Sequence, residues 1–394
     1  MSNLNKKIEE FKNFKFKADF NDFLLTWEHD LRSLKAIVLL AEVLKEMQAE
    51  GLSYKIFESG LGVSIFKDNS TRTRFSFSSA VDSLGLSIQE FDEEKSQIAH
   101  GESVKETANM ISFLTEVIGI RDDKYIGEGD RFQRMVSEAV DFGYEKKILK
   151  QRPAVINLQS DLDHPTQSLS DLAKIKEEFG SFEEIKGKKI AVSWAYSPSY
   201  GKPLSVSQGV IGLLSRFGAD ITLAHPEEYD LSNELVEMSQ KQAEESGGSF
   251  KTTNKMNQAF EGADIVYPKS WAPIEIMKKK TKCLKSGDLE RVKALEKDTL
   301  RMNERYNNWE CNRERMKLTN DALYMHPLPA DISGENCRQG EVSKAVFKDN
   351  LIHTYQQASF KPFIITAMII MSKVKDSSEL IGKIASNAEK RRHF

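Results

Sequence analysis

With 394 residues the chain exceeds what one hydrophobic core ordinarily serves, so two domains are expected. Lys plus Arg number 56 against 59 Asp plus Glu, a formal net charge of −3, which excludes the strong basic field of a dedicated nucleic-acid or membrane-surface binder and leaves room for a local anion pocket. The longest apolar run, near Phe363–Met371, is far short of a bilayer span, and the N-terminal stretch has no apolar signal core. The cysteines (Cys283, Cys311, Cys337) lack paired metal-ligand spacing, so a cytoplasmic protein with no metal and no cofactor is expected.

In chain order, a helical lead-in precedes Leu31–Met47, where apolar residues recur at helical spacing. Leu61–Phe66 reads as a buried strand, followed by the polar turn 67–70 and a helix through Phe77 and Val81 that ends at Gly85. Leu86–Phe91 alternates like a strand, Ser103–Leu114 is helical, and Val117–Ile120 is strand again. The rhythm repeats beyond residue 153, before which no proline occurs. Ala154–Asn157, Lys189–Trp194, Asp220–Ala224, Asp264–Tyr267 and Ala322–His326 read as strands; Ser168–Phe179 and Val206–Phe217 read as helices. Strands alternating with helices predict an α/β chain of two doubly wound parallel-sheet domains. The boundaries expected are 1–165 plus 360–394 for the first and 166–359 for the second, with the charged stretch 277–319 as a solvated helical insertion. A lid or subunit-contact arm is its functional alternative, with Trp309 and Met316 to dock it.

Ligands of open parallel sheets sit at the carboxyl ends of strands, which directs attention to the turns after Phe66, Ile120, Asn157, Tyr267 and Met325. The first carries Ser70-Thr71-Arg72-Thr73-Arg74 into a helix, an anion cradle of free N–H groups, hydroxyls and guanidinium forks. Arg72 and Arg74 are two residues apart and cannot point the same way at a helix start, so one grips an anion and the other supports the turn. Arg121 emerges after Val117–Ile120, His164-Pro165-Thr166-Gln167 opens a helix, and His326-Pro327-Leu328-Pro329 follows a strand. Each has a plain structural explanation alone; together they place two cations, an imidazole and several donors on one rim. A dinucleotide-binding dehydrogenase lacks support, because no G-x-G-x-x-G turn follows Phe66.

Ser-Thr-Arg-Thr-Arg, His-Pro-Thr-Gln and the late His-x-Leu-Pro, in this order, resemble the aspartate/ornithine transcarbamylase superfamily, whose members use carbamoyl phosphate. The segment 96–103 (SQIAHGES) is similar to the loop that ornithine-type enzymes lend to a neighbouring subunit. Trp194-Ala195-Tyr196 and Lys269-Ser270-Trp271 resemble the knotted branch exemplified by N-acetylornithine transcarbamylase, and length and insertion resemble its YgeW type. The resemblance implies a transcarbamylase fold with a trefoil knot in the second domain and a homotrimer with shared active sites. It implies transfer of a carbamoyl group from carbamoyl phosphate to a small amine-bearing acid, giving a ureido product and phosphate. It implies that Ser70, Thr71, Arg72 and Thr73 hold phosphate, with Arg74 beside them. Arg121 serves phosphate and carbonyl oxygen, His164 donates to the carbamoyl oxygen, Gln167 accepts from the carbamoyl amide, and Gln97 reaches in from an adjacent subunit. The backbone around Leu328 orients amide and amine, with His326 and Pro327 beside the second substrate. A non-catalytic carbamoyl phosphate-binding paralogue and an N-acyl-ornithine transcarbamylase are the alternatives.

The chain also departs from the family. Ornithine enzymes carry Asp and Ser-Met-Gly where this chain has the turn 267–273 (YPKSWAP), so ornithine is not the expected amine; Ala330-Asp331 after the late Pro-Leu-Pro, and His100, argue against aspartate. Lys269 beside Trp271 is expected to hold a substrate carboxylate. Lys361 stands where an arginine is usual, keeping the charge and losing the bidentate fork.

Overall fold

The structure is a computed structural model that describes residues 2–91, 103–387 and 389–391. Among them are two large parallel sheets and a short parallel pair, Ile332–Ser333 with Val342–Ser343. The first has strand order β2-β1-β3-β4, with β1 Leu61–Phe66, β2 Ser87–Phe91, β3 Thr115–Asp122 and β4 Ala154–Ser160. The second has order β7-β6-β5-β8-β9, with β5 Lys189–Trp194, β6 Asp220–Ala224, β7 Ser249–Thr253, β8 Ile265–Lys269 and β9 Leu323–Tyr324. Every residue of β4, at one edge of the first sheet, and of the inner strand β8 is buried, whereas the opposite edge strand β2 is almost wholly exposed. Strand β7 is missed by the sequence reading, because its polar, exposed residues carry no buried-strand signal.

Each sheet reverses its strand order once, between β1 and β3 and between β5 and β8. Such switch points open crevices at the strand ends. Phe66 pairs with Arg121 at the first and Trp194 with Lys269 at the second, so the chemistry-bearing turns leave the sheets side by side. Gly62 and Gly119 bring the helix Thr71–Ser83 close to the first sheet: a Cβ at either would stand 2.6 Å from Val81 or 2.5 Å from Phe77. That approach fixes the helix N-terminus over the carboxyl ends of β1 and β3.

The helix Pro165–Phe179 starts directly after β4 and packs on Ser205–Leu214 of the second lobe as well as on Leu31–Ala49 of the first. Late in the chain, Lys361–Lys373 returns to pack between Leu31–Ala49 and Thr71–Ser83, with Ile364 through Met371 buried. No described helix is long and apolar enough to cross a membrane.

The charged stretch is not simply solvated. Helices Ile274–Lys285 and Leu289–Glu304 pack together, and the second buries Val292, Leu295, Thr299 and Asn303. The Asn303 amide donates to the carbonyls of Ser197 (3.0 Å) and Ser199 (3.1 Å) and accepts from the Tyr229 hydroxyl at 2.6 Å. Trp309 is buried edge-on to Trp194, ring centroids 6.1 Å apart. The apolar residues scattered among the charges therefore dock this segment on the turn that follows β5.

Candidate active site

The two switch points face one cleft of about 490 Å³. Ser70 caps the helix Thr71–Ser83, its hydroxyl accepting the Thr73 N–H at 3.4 Å, and no acidic residue occupies the first turn. The remaining first-turn N–H groups and the positive end of the helix dipole thus face the cleft. Arg121 donates to the Ser70 hydroxyl at 3.1 Å and grips Asp123 through Nε (3.3 Å) and Nη2 (3.0 Å). Burial pushes the Asp123 carboxyl up to about 6 against the pull of Arg121.

Across the cleft, Arg72 donates to the carbonyl oxygen of Leu328. Desolvation and the nearby Arg121 hold its pKa below the ordinary value. Lys361, 4% exposed, lies with its ammonium 3.5 Å from His164 Nε2. Burial, reinforced by repulsion from Arg72 and Arg121, pushes Lys361 down to about 7. The same burial, with Lys361, Arg121 and Arg72 around it, holds His164 well below the usual imidazole range, so it is neutral and can donate from one nitrogen only. Among the described residues neither Arg72 nor Lys361 has a carboxylate partner. Unmatched cations beside a helix N-terminus make a site for a multiply charged anion.

The second-lobe wall is charge-matched. Lys269 Nζ donates to Glu341 at 2.5 Å, and both side chains are buried. Glu341 also accepts from the N–H of Ser270 (2.8 Å) and Asp331 (3.0 Å) and from His326 Nε2 (3.1 Å). His326 Nδ1 accepts the Leu328 N–H at 3.0 Å, which assigns its proton to Nε2. Burial raises the cost of ionising Glu341, yet Lys269 and His326 win and hold it well below the carboxylate range. Lys202 lines the same wall and pairs with Asp331 at 3.1 Å.

Ser70, Thr71, Arg72, Thr73, Arg121, His164, Lys269, Pro327, Leu328 and Lys361 all line the cleft. Four expected residues do not. Arg74 pairs with Glu90 of β2 and lies over the Phe66 ring at 4.3 Å, so it is the arginine that supports the turn. Gln167 turns its amide to Asp171 at 2.7 Å, where Gln357 (2.5 Å) and the Tyr267 hydroxyl (2.8 Å) also donate. Trp271 is buried, its indole N–H donated to the Tyr229 carbonyl at 2.9 Å, and His326 is enclosed behind Leu328 by Glu341. Lys269 reaches the cleft with its charge already taken by Glu341, which corrects the expectation of a free cation for a substrate carboxylate. Gln97 and His100 lie outside the described residues. Sequence reasoning missed Asp68, Asp123, Gln159 and Lys202; the last sits in the turn after β5, which the strand-end rule could have flagged.

Two family models match in succession: the carbamoyl-phosphate binding domain of aspartate/ornithine carbamoyltransferases over residues 21–177, and the Asp/Orn binding domain over 201–372. The chain belongs to the aspartate/ornithine carbamoyltransferase family. This transcarbamylase is 53% identical over 393 residues to YgeW of Escherichia coli strain K12, covering 99% of each chain. It is 26% identical over 347 residues to an N-acetylornithine carbamoyltransferase of Xylella fastidiosa strain 9a5c, covering 80% of this chain and 92% of that one. Its fold is that of acetylornithine transcarbamylase complexed with acetylcitrulline, with TM-score 0.72 and 22% identity over 90% of this chain and 99% of the other. Both lobes of the transcarbamylase therefore lie within a single family pattern, and the cleft lies between them.

Proposed function

We propose that the chain transfers the carbamoyl group of carbamoyl phosphate to the amine of a small carboxylate-bearing substrate, giving a ureido product and phosphate. The observation that carries this reading is the convergence of Arg72, Arg121, Lys361 and a neutral His164 on one crevice, with Arg72 and Lys361 unmatched by carboxylates. Ser70, Thr71, Arg72 and Thr73 hold the phosphate with the helix N-terminus. Arg121 and His164 face the carbonyl oxygen, which turns negative as the amine nitrogen adds to carbon. Donors placed for such an oxyanion typically contribute about 10²–10³ in turnover each. The C–N bond forms, the C–O bond to phosphate breaks with its electron pair on oxygen, and phosphate takes the proton the amine sheds. Holding both reactants in line supplies much of the remaining rate. Lys361 replaces an arginine on the leaving group, and Asp171 holds the amide of Gln167.

The reading includes a first domain of residues 1–165 plus 360–394, a second of 166–359 with a knotted course, a cytoplasmic location and a homotrimer whose neighbouring subunit brings Gln97 to the cleft. The trimer is supported by exposed apolar side chains on the first lobe: Phe75, Met110, Phe113, Leu114, Phe142 and Ile148. Scattering that gives a monomer still turning over would overturn it. The catalytic reading is tested by phosphate release from carbamoyl phosphate across a panel of amines that includes ornithine, N-acetylornithine and aspartate. Ureido product is expected for at least one amine and lost in Arg72→Ala. Thermal stabilisation by carbamoyl phosphate without product for any amine would sink the catalytic reading and leave a binding protein.

A further inference from the structure

Four lysines are buried among the described residues, and three of them have a carboxylate against the ammonium. Lys174 meets Glu178 at 3.0 Å, Lys176 meets Glu42 at 2.8 Å and Lys269 meets Glu341 at 2.5 Å. Lys202, which also lines the cleft, pairs with Asp331. Lys361 is the exception. Among the described residues Asp171 is the one carboxylate that draws it, without forming an ion pair, and Gln167, Gln357 and the Tyr267 hydroxyl already donate to that carboxylate. The nearest ring nitrogen, His164 Nε2 at 3.5 Å, belongs to a neutral imidazole and supplies no countercharge.

A buried amine that faces Arg72 and Arg121 without an anion of its own sheds its proton readily. At pH 7 about half of such side chains carry a free lone pair, against less than ~0.1% of an exposed lysine. Lower basicity makes each neutral amine a weaker nucleophile, but it offsets only part of that gain. An arginine in this place would stay protonated and unreactive. The same cations draw small anions into the cleft. One small anion that reacts with amines is cyanate, which carbamoyl phosphate itself releases: an amide proton passes to the phosphate as the C–O bond breaks with its electron pair on phosphate oxygen.

We propose that Lys361 is a carbamoylation site, whose amine nitrogen adds to the carbon of cyanate held in the anion cleft. The amine lone pair forms the new C–N bond, a π pair of cyanic acid moves to its nitrogen, and the proton shed by the amine follows it there. Ammonium plus cyanate equals the urea, so nothing is oxidised and no group leaves. The product is an uncharged ureido side chain that removes a cation from the cleft and fills space beside His164, which closes the site to phosphate. The inference rests on the anion cleft and needs no amine substrate.

The test treats ligand-free protein at pH 7 with dilute potassium cyanate and follows each lysine by peptide mapping, while calorimetry follows phosphate binding. Lys361 is expected to gain one HNCO at least tenfold faster than the paired Lys202 and Lys269 or the exposed Lys241. Saturating inorganic phosphate should slow that gain at least tenfold, and the modified protein should bind phosphate at least tenfold more weakly. Lys361→Arg should keep whatever phosphate affinity it starts with through the same treatment. Labelling of Lys361 no faster than that of Lys241, no protection by phosphate, or an equal loss of affinity in Lys361→Arg overturns the proposal; if the variant does not fold, the labelling rates of the parent decide alone. A protein that forms ureido product and leaves Lys361 unlabelled overturns this inference with carbamoyl transfer intact. Rapid labelling of Lys361 in a protein that forms no ureido product from any amine keeps it and sinks the transfer reading.

Discussion

Replacing Lys361 by methionine gives the sharpest test of the anion site, because the ligand-free protein bears a cost there. The side chain is buried beside Arg72 and Arg121, and the fall of its pKa from 10.5 to about 7 measures what the fold sacrifices to keep an ammonium in that place. At roughly 1.4 kcal/mol per pKa unit, the ceiling is about 5 kcal/mol. The unfolded chain binds this proton up to about pH 10.5 while the folded one releases it above about 7. The penalty is therefore complete at and below pH 7 and fades as pH rises toward 10.5. Methionine preserves the apolar stem and removes the charge. In urea unfolding without ligand, Lys361→Met should gain about 2–5 kcal/mol at pH 6, a gain that shrinks by pH 10. In phosphate titrations the parent should lose affinity by about tenfold for each pH unit above 7, as the ammonium that meets the dianion disappears. The variant should bind more weakly without that slope. A variant no more stable than the parent at pH 6, or a gap that stays constant to pH 10, refutes the reasoning.

Glu341→Gln leaves the buried Lys269 ammonium without its carboxylate and should cost about 3–5 kcal/mol in chemical denaturation. Adding Lys269→Met should restore most of that loss, and a double variant as unstable as the single would show that the pair is not the source. Trp309→Ala should destabilise by about 3–5 kcal/mol and free the segment 274–316 for early proteolysis, because Trp309 packs against Trp194; an unchanged cleavage pattern would contradict the docking role. Arg72→Ala should weaken phosphate binding in calorimetry by at least tenfold with an unchanged melting profile, and undiminished affinity would remove Arg72 from the site.

Much of this was legible in the chain because buried parallel strands announce themselves: Leu61–Phe66, Lys189–Trp194 and Asp220–Ala224 are read without error from apolar runs. The strand-end rule points to Ser70, Arg121, His164 and Leu328, and these line one cleft. What escaped depends on partners distant in sequence. The direction of Arg74 is settled by Glu90 on the adjacent parallel strand, and the charge of Lys269 by Glu341, seventy-two residues later. Periodicity reports which face a residue occupies and is silent about which opposite charge awaits it. The solvated reading of the insertion fails for a related reason: its charge density hides Val292 and Leu295, which together with Trp309, a docking residue legible in the sequence, anchor it.

The return of Lys361–Lys373 to the first lobe bears on how the protein is made. The helix fills the groove between Leu31–Ala49 and Thr71–Ser83, and its first residue is the last cation to reach the cleft. A ribosome that has finished the first sheet has therefore left it with an open apolar trench, and some two hundred further residues must be synthesised before the trench closes. At about 5–20 residues per second that is an exposure of about 10–40 s. Through that interval the nascent first lobe offers chaperones a defined apolar target and has no complete anion site with which to draw ligand stability.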